Sequence, residues 1–244
     1  MNKTTVISVF CFLLTTSLFF GQNWIGQKIK GNGNIKIENR TTPTYDIIKM
    51  QGTFDVDLIA GIEGNITVTA DENLMQFIKL VVENGVLKIY EEKGKSLHAC
   101  NGNKILITVP FDKIVEFSLS GSGNVKANNV INTEKFVAIL SGSGDIILDM
   151  VATEIDAKIS GSGNIILSGK ANNLTAKISG SGDVRASELV AVNADVSISG
   201  SGNINIDCTD NLSAKISGSG NIYYKNEPKN KDAKVSGSGT IKMR

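Results

Sequence analysis

Ala176-Lys177-Ile178-Ser179-Gly180-Ser181-Gly182-Asp183-Val184 decides the fold, because its pattern recurs down the second half of the chain. Ser-Gly-Ser-Gly, then Asn, Asp or Thr, then Val or Ile, begins at Ser120, Ser141, Ser160, Ser179, Ser199, Ser217 and Ser236. The steps are 21, 19, 19, 20, 18 and 19 residues. A period of about 20 residues without helical periodicity marks a solenoid, each repeat being one coil stacked on the last.

Aligning the copies turns the repeat into columns. Leu119, Leu140, Ile159, Ile178, Ile198, Ile216 and Val235 stand just before the motif. Two residues earlier stand Phe117, Ala138, Ala157, Ala176, Val196, Ala214 and Ala233. Between them lie Ser118, Ile139, Lys158, Lys177, Ser197, Lys215 and Lys234. This is period-2 alternation held in register, so the Ala and Ile columns point inward and the Lys column outward. Val125, Ile146, Ile165, Val184, Ile204, Ile222 and Ile241 form another inward column. Carried through the motif, the alternation puts both glycines inward and the serines and Asn/Asp outward. An inward glycine fits two close walls or a corner of the coil. The bends between coils are expected in polar stretches such as Lys170-Ala171-Asn172-Asn173 and Thr209-Asp210-Asn211, where Asn tolerates left-handed geometry.

Upstream, the pattern changes. Gly31-Asn32-Gly33-Asn34-Ile35 reads as a lone early copy of the motif. Phe54, Val56 and Leu58, then Ile66, Val68 and Ala70, alternate with polar residues as half-buried strands do. Asp71 to Ile78 reads as a short helix, with Asp71 and Asn73 of capping type and Leu74, Phe77 and Ile78 on one face. Asn84-Gly85, between apolar runs, predicts a two-residue hairpin with positive φ at both positions. Ile105, Ile107 and Val109 continue the β pattern. The expected division is a signal peptide over 1–21, a β-rich region with the hairpin over 22–115, and the solenoid over 116–244.

The signal reading rests on Lys3, the apolar run Val6 to Phe20 and the small Gly21 ahead of a cut before Gln22. The run is short for a membrane span, so no transmembrane domain is expected in the mature chain. Export follows, to the periplasm, the outer membrane or the medium. The chain holds 25 Lys+Arg against 24 Asp+Glu among 244 residues. That balance gives no electrostatic reason to expect nucleic acid or an acidic membrane as partner. Cys100 and Cys208 stand several coils apart on this reading, beyond the reach of a disulfide.

The residues also carry a family resemblance. The repeated motif, together with Val68-Thr69-Ala70-Asp71-Glu72-Asn73-Leu74, Val82-Glu83-Asn84-Gly85-Val86-Leu87-Lys88-Ile89 and Ile107-Thr108-Val109-Pro110, resembles the head GIN domain family of autotransporter-type adhesins, exported β-proteins common in Bacteroidetes. The match spans about Asp46 to Met243. It implies an all-β, right-handed parallel β-helix and brings no catalytic residues with it.

Chemistry is sparse. A serine nucleophile needs a base and an orienting group, and His98 is the only histidine. His98 with Cys100 is too small a ligand set for a metal. Asp145 and Asp183 share a column two coils apart, about 9.6 Å at the stacking distance, with Asn164 between them. They read as variants of an Asn ladder and not as a lyase's calcium cluster. The Lys column is an outward, solubilising stripe, or alternatively attracts anionic glycans. No enzyme activity, cofactor or metal is expected.

The expected function is binding or adhesion at the cell envelope, toward a cell-surface or extracellular polysaccharide or protein. The candidate surface is the outward ladder Ser122, Ser143, Ser162, Ser181, Ser201 and Ser219, with Asn124, Asp145, Asn164, Asp183, Asn203 and Asn221 two residues along. A structural envelope solenoid without a ligand, and a polysaccharide-lyase-like enzyme, are the alternatives.

Overall fold

A computed structural model describes residues 26–100 and 102–244; the expected signal segment lies outside the described residues. Coil stacks on coil by parallel pairing. Asp145–Gly161, Asn164–Gly180, Asp183–Gly200 and Asn203–Gly218 each run 16 to 18 residues as one extended strand. Ile159 pairs with Ile178, Ile178 with Ile198, and Ile198 with Ile216. The Ala and Ile columns are buried as far as Ala214 and Ile216, and the lysines of the Lys column are exposed while Ser118, Ile139 and Ser197 in it are half-buried. The 20- and 18-residue steps are absorbed by register shifts at Ile166/Ser168, Ala186/Val190 and Ala191/Asn193, so the motif columns stay aligned.

Bending does not use left-handed asparagine as expected. Asn84 is the sole non-glycine residue with positive φ among the described residues. Asn173 and Asn211 instead lie in continuous strands, because their side chains bond to the neighbouring coil. The corner belongs to the motif glycines. Gly161 has φ +139° and is half-buried; Gly163 is buried. Both explanations for inward glycine apply at the first, which turns the corner and lies against the glycine of the coil below, and close approach applies at the second.

The parallel stack crosses residue 116. Ile47–Gly52 pairs with Glu116–Gly121, matching Ile48 to Phe117 and Met50 to Leu119, and Asp55–Ala60 pairs with Asn124–Ala127. Beneath that coil lie Val86–Glu91 and Leu106–Phe111. The spatial order of these three coils thus differs from chain order: 86–111, then 47–60, then 116–127. The chain leaves the stack after Ala60, runs through Asn65–Asp71 and a 3-10 helix at Glu72–Phe77, and re-enters by the Asn84-Gly85 hairpin. That hairpin has φ +50° and +74° at its two residues, as its sequence predicts. Ile78–Glu83 and Asn65–Asp71 pair antiparallel to the outermost coil and close this end.

Two local expectations are corrected. Gly31-Asn32-Gly33-Asn34-Ile35 is not a coil of the stack; Ile35 opens a strand antiparallel to Asn65–Asp71 and is 49% exposed. What holds this loop is Asp71, fully buried, whose carboxylate accepts from the Gly33 amide at 2.6 Å and the Cys100 amide at 3.1 Å. Asp71 therefore does not cap the short helix through its side chain. The early copy of the motif is Gln51-Gly52-Thr53-Phe54-Asp55-Val56. Gly52 pairs with Gly121 at nearly the same φ, and buried Phe54 stands where later coils carry the second glycine. In the next coil outward, no copy of the motif joins Val86–Glu91 to Leu106–Phe111.

Candidate binding surface

Each serine of the predicted ladder sits beside a corner glycine. Its backbone amide donates to the first glycine carbonyl of the coil below: Ser143 to Gly121 at 3.0 Å, and Ser162 to Gly142, Ser181 to Gly161, Ser201 to Gly180 and Ser219 to Gly200 all at 2.9 Å. Ser122 donates to Gly52 at 3.2 Å. The side chains of all six are exposed. Among the described residues no protein group bonds to their hydroxyls, so each offers a donor and an acceptor to water.

The Asn/Asp column behaves differently. The Asn124 amide donates to Asp55 at 2.9 Å, Asn164 to Asp145 at 2.7 Å, Asn203 to Asp183 at 3.0 Å and Asn221 to Asn203 at 3.1 Å. From Asp55 to Asn203 acids and amides alternate, so no two carboxylates stand on adjacent coils. An amide between two carboxylates donates where like charges would repel. This column spends part of its hydrogen-bonding capacity inside the stack, and five of its six predicted members are half-buried.

Sequence reasoning missed a second ladder. Asn193 donates to Asn173 at 3.0 Å, Asn211 to Asn193 at 2.6 Å and Asn230 to Asn211 at 2.9 Å. Each stands six residues before its motif serine in four consecutive coils, which is the signal that would have found it. An open trough runs along this ladder beside Thr175, Asp195 and Ser213. A second shallow trough follows Lys158, Lys177 and Lys215 with Ser160, Ser179 and Ser199.

The Lys column is not a uniform basic stripe. Lys158 pairs with Asp156 at 2.6 Å and Lys234 with Asp232 at 3.1 Å, and Asp195 stands in the same acidic column. His98 is exposed and lies 3.2 Å from the Ser96 hydroxyl. Cys100 and Cys208 are free; burial is the main cause raising the Cys208 thiol pKa. Among the described residues no three His, Cys, Asp or Glu side chains group to hold a metal, and no helix is long and apolar enough to cross a membrane.

Solved structures with this architecture include a "putative adhesin" of Bacteroides fragilis, 22% identical with TM-score 0.83 over 88% of this chain and 100% of that one. A "putative lipid binding protein" of Parabacteroides distasonis is 27% identical, with TM-score 0.76 over 89% and 100%. A "putative adhesin" of Parabacteroides merdae is 25% identical, with TM-score 0.71 over 89% and 99%. No curated protein matches. The family model described as "Putative auto-transporter adhesin, head GIN domain" matches residues 44–228. Motif, coil register and family model agree: the chain belongs to the head GIN domain family.

Proposed function

We propose that this protein is an exported, non-enzymatic binding protein of the cell envelope, and that its serine-lined corner takes an extended polymer, a polysaccharide foremost. The observation that carries the reading is the unbroken one-to-one register of exposed serines over successive coils, with hydroxyls left free while their backbone amides are fixed. The rungs repeat about every 4.8 Å, so six span about 24 Å. A hydroxyl exposed to water gains little from one hydrogen bond. Many in a row add up only for a ligand that reaches many rungs at once. A small molecule would need an enclosing pocket, whereas this corner is open. Membership of a family described as adhesins supports the same reading.

The test is a glycan array probed with the mature protein and with a variant carrying Ser143→Glu, Ser162→Glu and Ser181→Glu, its fold checked by circular dichroism. The expected result is binding by the first and loss by the second. Unchanged binding by the variant, or no binding by either, removes the ladder as the functional surface. Export is checked separately: mass spectrometry of protein from the native host should find an N-terminus near Gln22, and an intact Met1 in the cytosol would contradict it.

A further inference from the structure

The two ends of the stack are finished differently. At the N-terminal end, antiparallel strands cover the outermost coil, and Leu87, Ile89, Ile107 and Val109 beneath them are fully buried. At the other end, Asn230–Gly237 and Thr240–Met243 pair only with the coil before them. Among the described residues nothing lies on their far side. All eight residues of Asn230–Gly237 are exposed. The core columns reach the surface here: Val235 is 46% and Met243 56% exposed, whereas their neighbours one coil earlier, Ile216 and Tyr224, are 3% and 5%. This end therefore offers a row of unpaired backbone N–H and C=O groups beside an apolar strip, the arrangement that accepts another strand.

Charge narrows the occupant. Residues 225–244 carry six bases against two acids, leaving residues 1–224 with nineteen bases against twenty-two acids. The near-neutral whole chain conceals this asymmetry. Lys225, Lys229, Lys231 and Lys234 engage Glu188, Asp210, Glu227 and Asp232, but Lys242 and Arg244 lie over the Tyr223 ring with no acidic partner among the described residues. A second copy docked by the same face would set base against base. Docked end to tail it would meet the edge strand Ile35–Thr41, where Lys36 and Arg40 outnumber Glu38 and again set base against base. We infer that this C-terminal end face is a strand-addition site for an acidic, extended polypeptide segment, whose backbone extends the parallel stack and whose small apolar residues cover Ala233 and Val235. This site is independent of the serine corner.

The corner adds a register rule. At every coil the first motif glycine lies so close to the glycine carbonyl below that a methyl group would overlap it, as at Gly237 over Gly218. A segment laid over Gly237 meets the same restriction. It stops above Ser236 or carries glycine there.

The experiment is fluorescence anisotropy of the mature protein with a labelled peptide, Asn-Leu-Glu-Ala-Glu-Ile-Ser-Gly-Ser-Gly-Asn-Ile, a coil with acids in two outward positions. Two control peptides have lysine for both glutamates or alanine for both glycines. The expected result is saturable binding of the acidic peptide and at least tenfold weaker binding of both controls. Val235→Glu should abolish binding, and the combined Lys234→Glu, Lys242→Glu and Arg244→Glu variant should weaken it at least tenfold. That second variant leaves the apolar strip intact and decides the matter if Val235→Glu does not fold. Three results overturn the proposal: no saturable binding, equal binding of the acidic and alanine peptides, or binding unaffected by either variant. Capture by phosphatidylglycerol vesicles without peptide binding would assign the face to a lipid surface and overturn it too, as would a dimer in light scattering that Val235→Glu dissolves.

Discussion

Gly161 shows how one residue type carries this fold. Its φ of +139° is a conformation that side-chain-bearing residues rarely adopt, and a methyl group there would overlap the Gly142 carbonyl oxygen. Strain and overpacking act together, so Gly161→Val should cost more than about 2 kcal/mol. Ser162, next to it and exposed, should tolerate valine within about 0.5 kcal/mol. Urea unfolding of the two variants measures the difference; equal effects would mean the glycine is only tolerated. The inward and outward columns give a second comparison. Ile178 is 3% exposed in a stacked isoleucine column, and Ile178→Ala should cost about 2–5 kcal/mol through transfer and cavity terms. Lys177→Ala, on the solvent side, should cost well under 1 kcal/mol. These assignments were legible because period-2 alternation repeats in register, so each column is read several times over. Asp71 was not legible. Its partners, Gly33 and Cys100, are distant in sequence, and nothing local distinguishes a buried anchor from a helix cap.

Among the elements, the ladders set the order of the coils. Asn164 stands between Asp145 and Asp183. Asn164→Asp removes the donor to Asp145 and lines up three carboxylates at about 4.8 Å spacing. Like charges at that range disfavour the folded, ionised state. The melting temperature should fall, and the gap to the unsubstituted protein should narrow at high salt, which screens the repulsion. A gap independent of salt would show that only the lost hydrogen bond matters. Asn193 sits between Asn173 and Asn211, so Asn193→Ala should cost about 1 kcal/mol, the net worth of hydrogen bonds whose exposed partners turn to water. The Asn84-Gly85 hairpin was legible from two residues, because its turn demands positive φ at both. The Asn173 ladder was not: asparagine in a polar stretch also suits a turn, and only stacking on the next coil selects the extended alternative.

For the whole molecule, the stack extends further than its motif. Ile47–Ala60 and 86–111 form coils with the register of the solenoid but without its Ser-Gly-Ser-Gly signature, and in an order the chain does not follow. Phe54 replaces the second glycine there, which hides the copy from a motif search. Long-range strand order is set by pairing between segments far apart in sequence, and local periodicity carries no record of it. A chain lacking residues 22–115 would expose the edges of Glu116–Gly121 and Asn124–Ala127, with buried Phe117 and Leu119 beside them. It should aggregate, seen by light scattering, whereas a chain from residue 22 onward should stay dispersed. On the proposed function, the serine corner is likewise a property of the whole stack, since binding would draw on many rungs together. The most direct measurement is the affinity of the mature protein for size-fractionated oligosaccharides of whichever glycan binds best on the array. Affinity should climb with length until the oligomer spans about 24 Å, the six-rung ladder at the β-stacking distance, and then level off. An affinity already complete at a di- or trisaccharide would mean a compact pocket and would contradict the account.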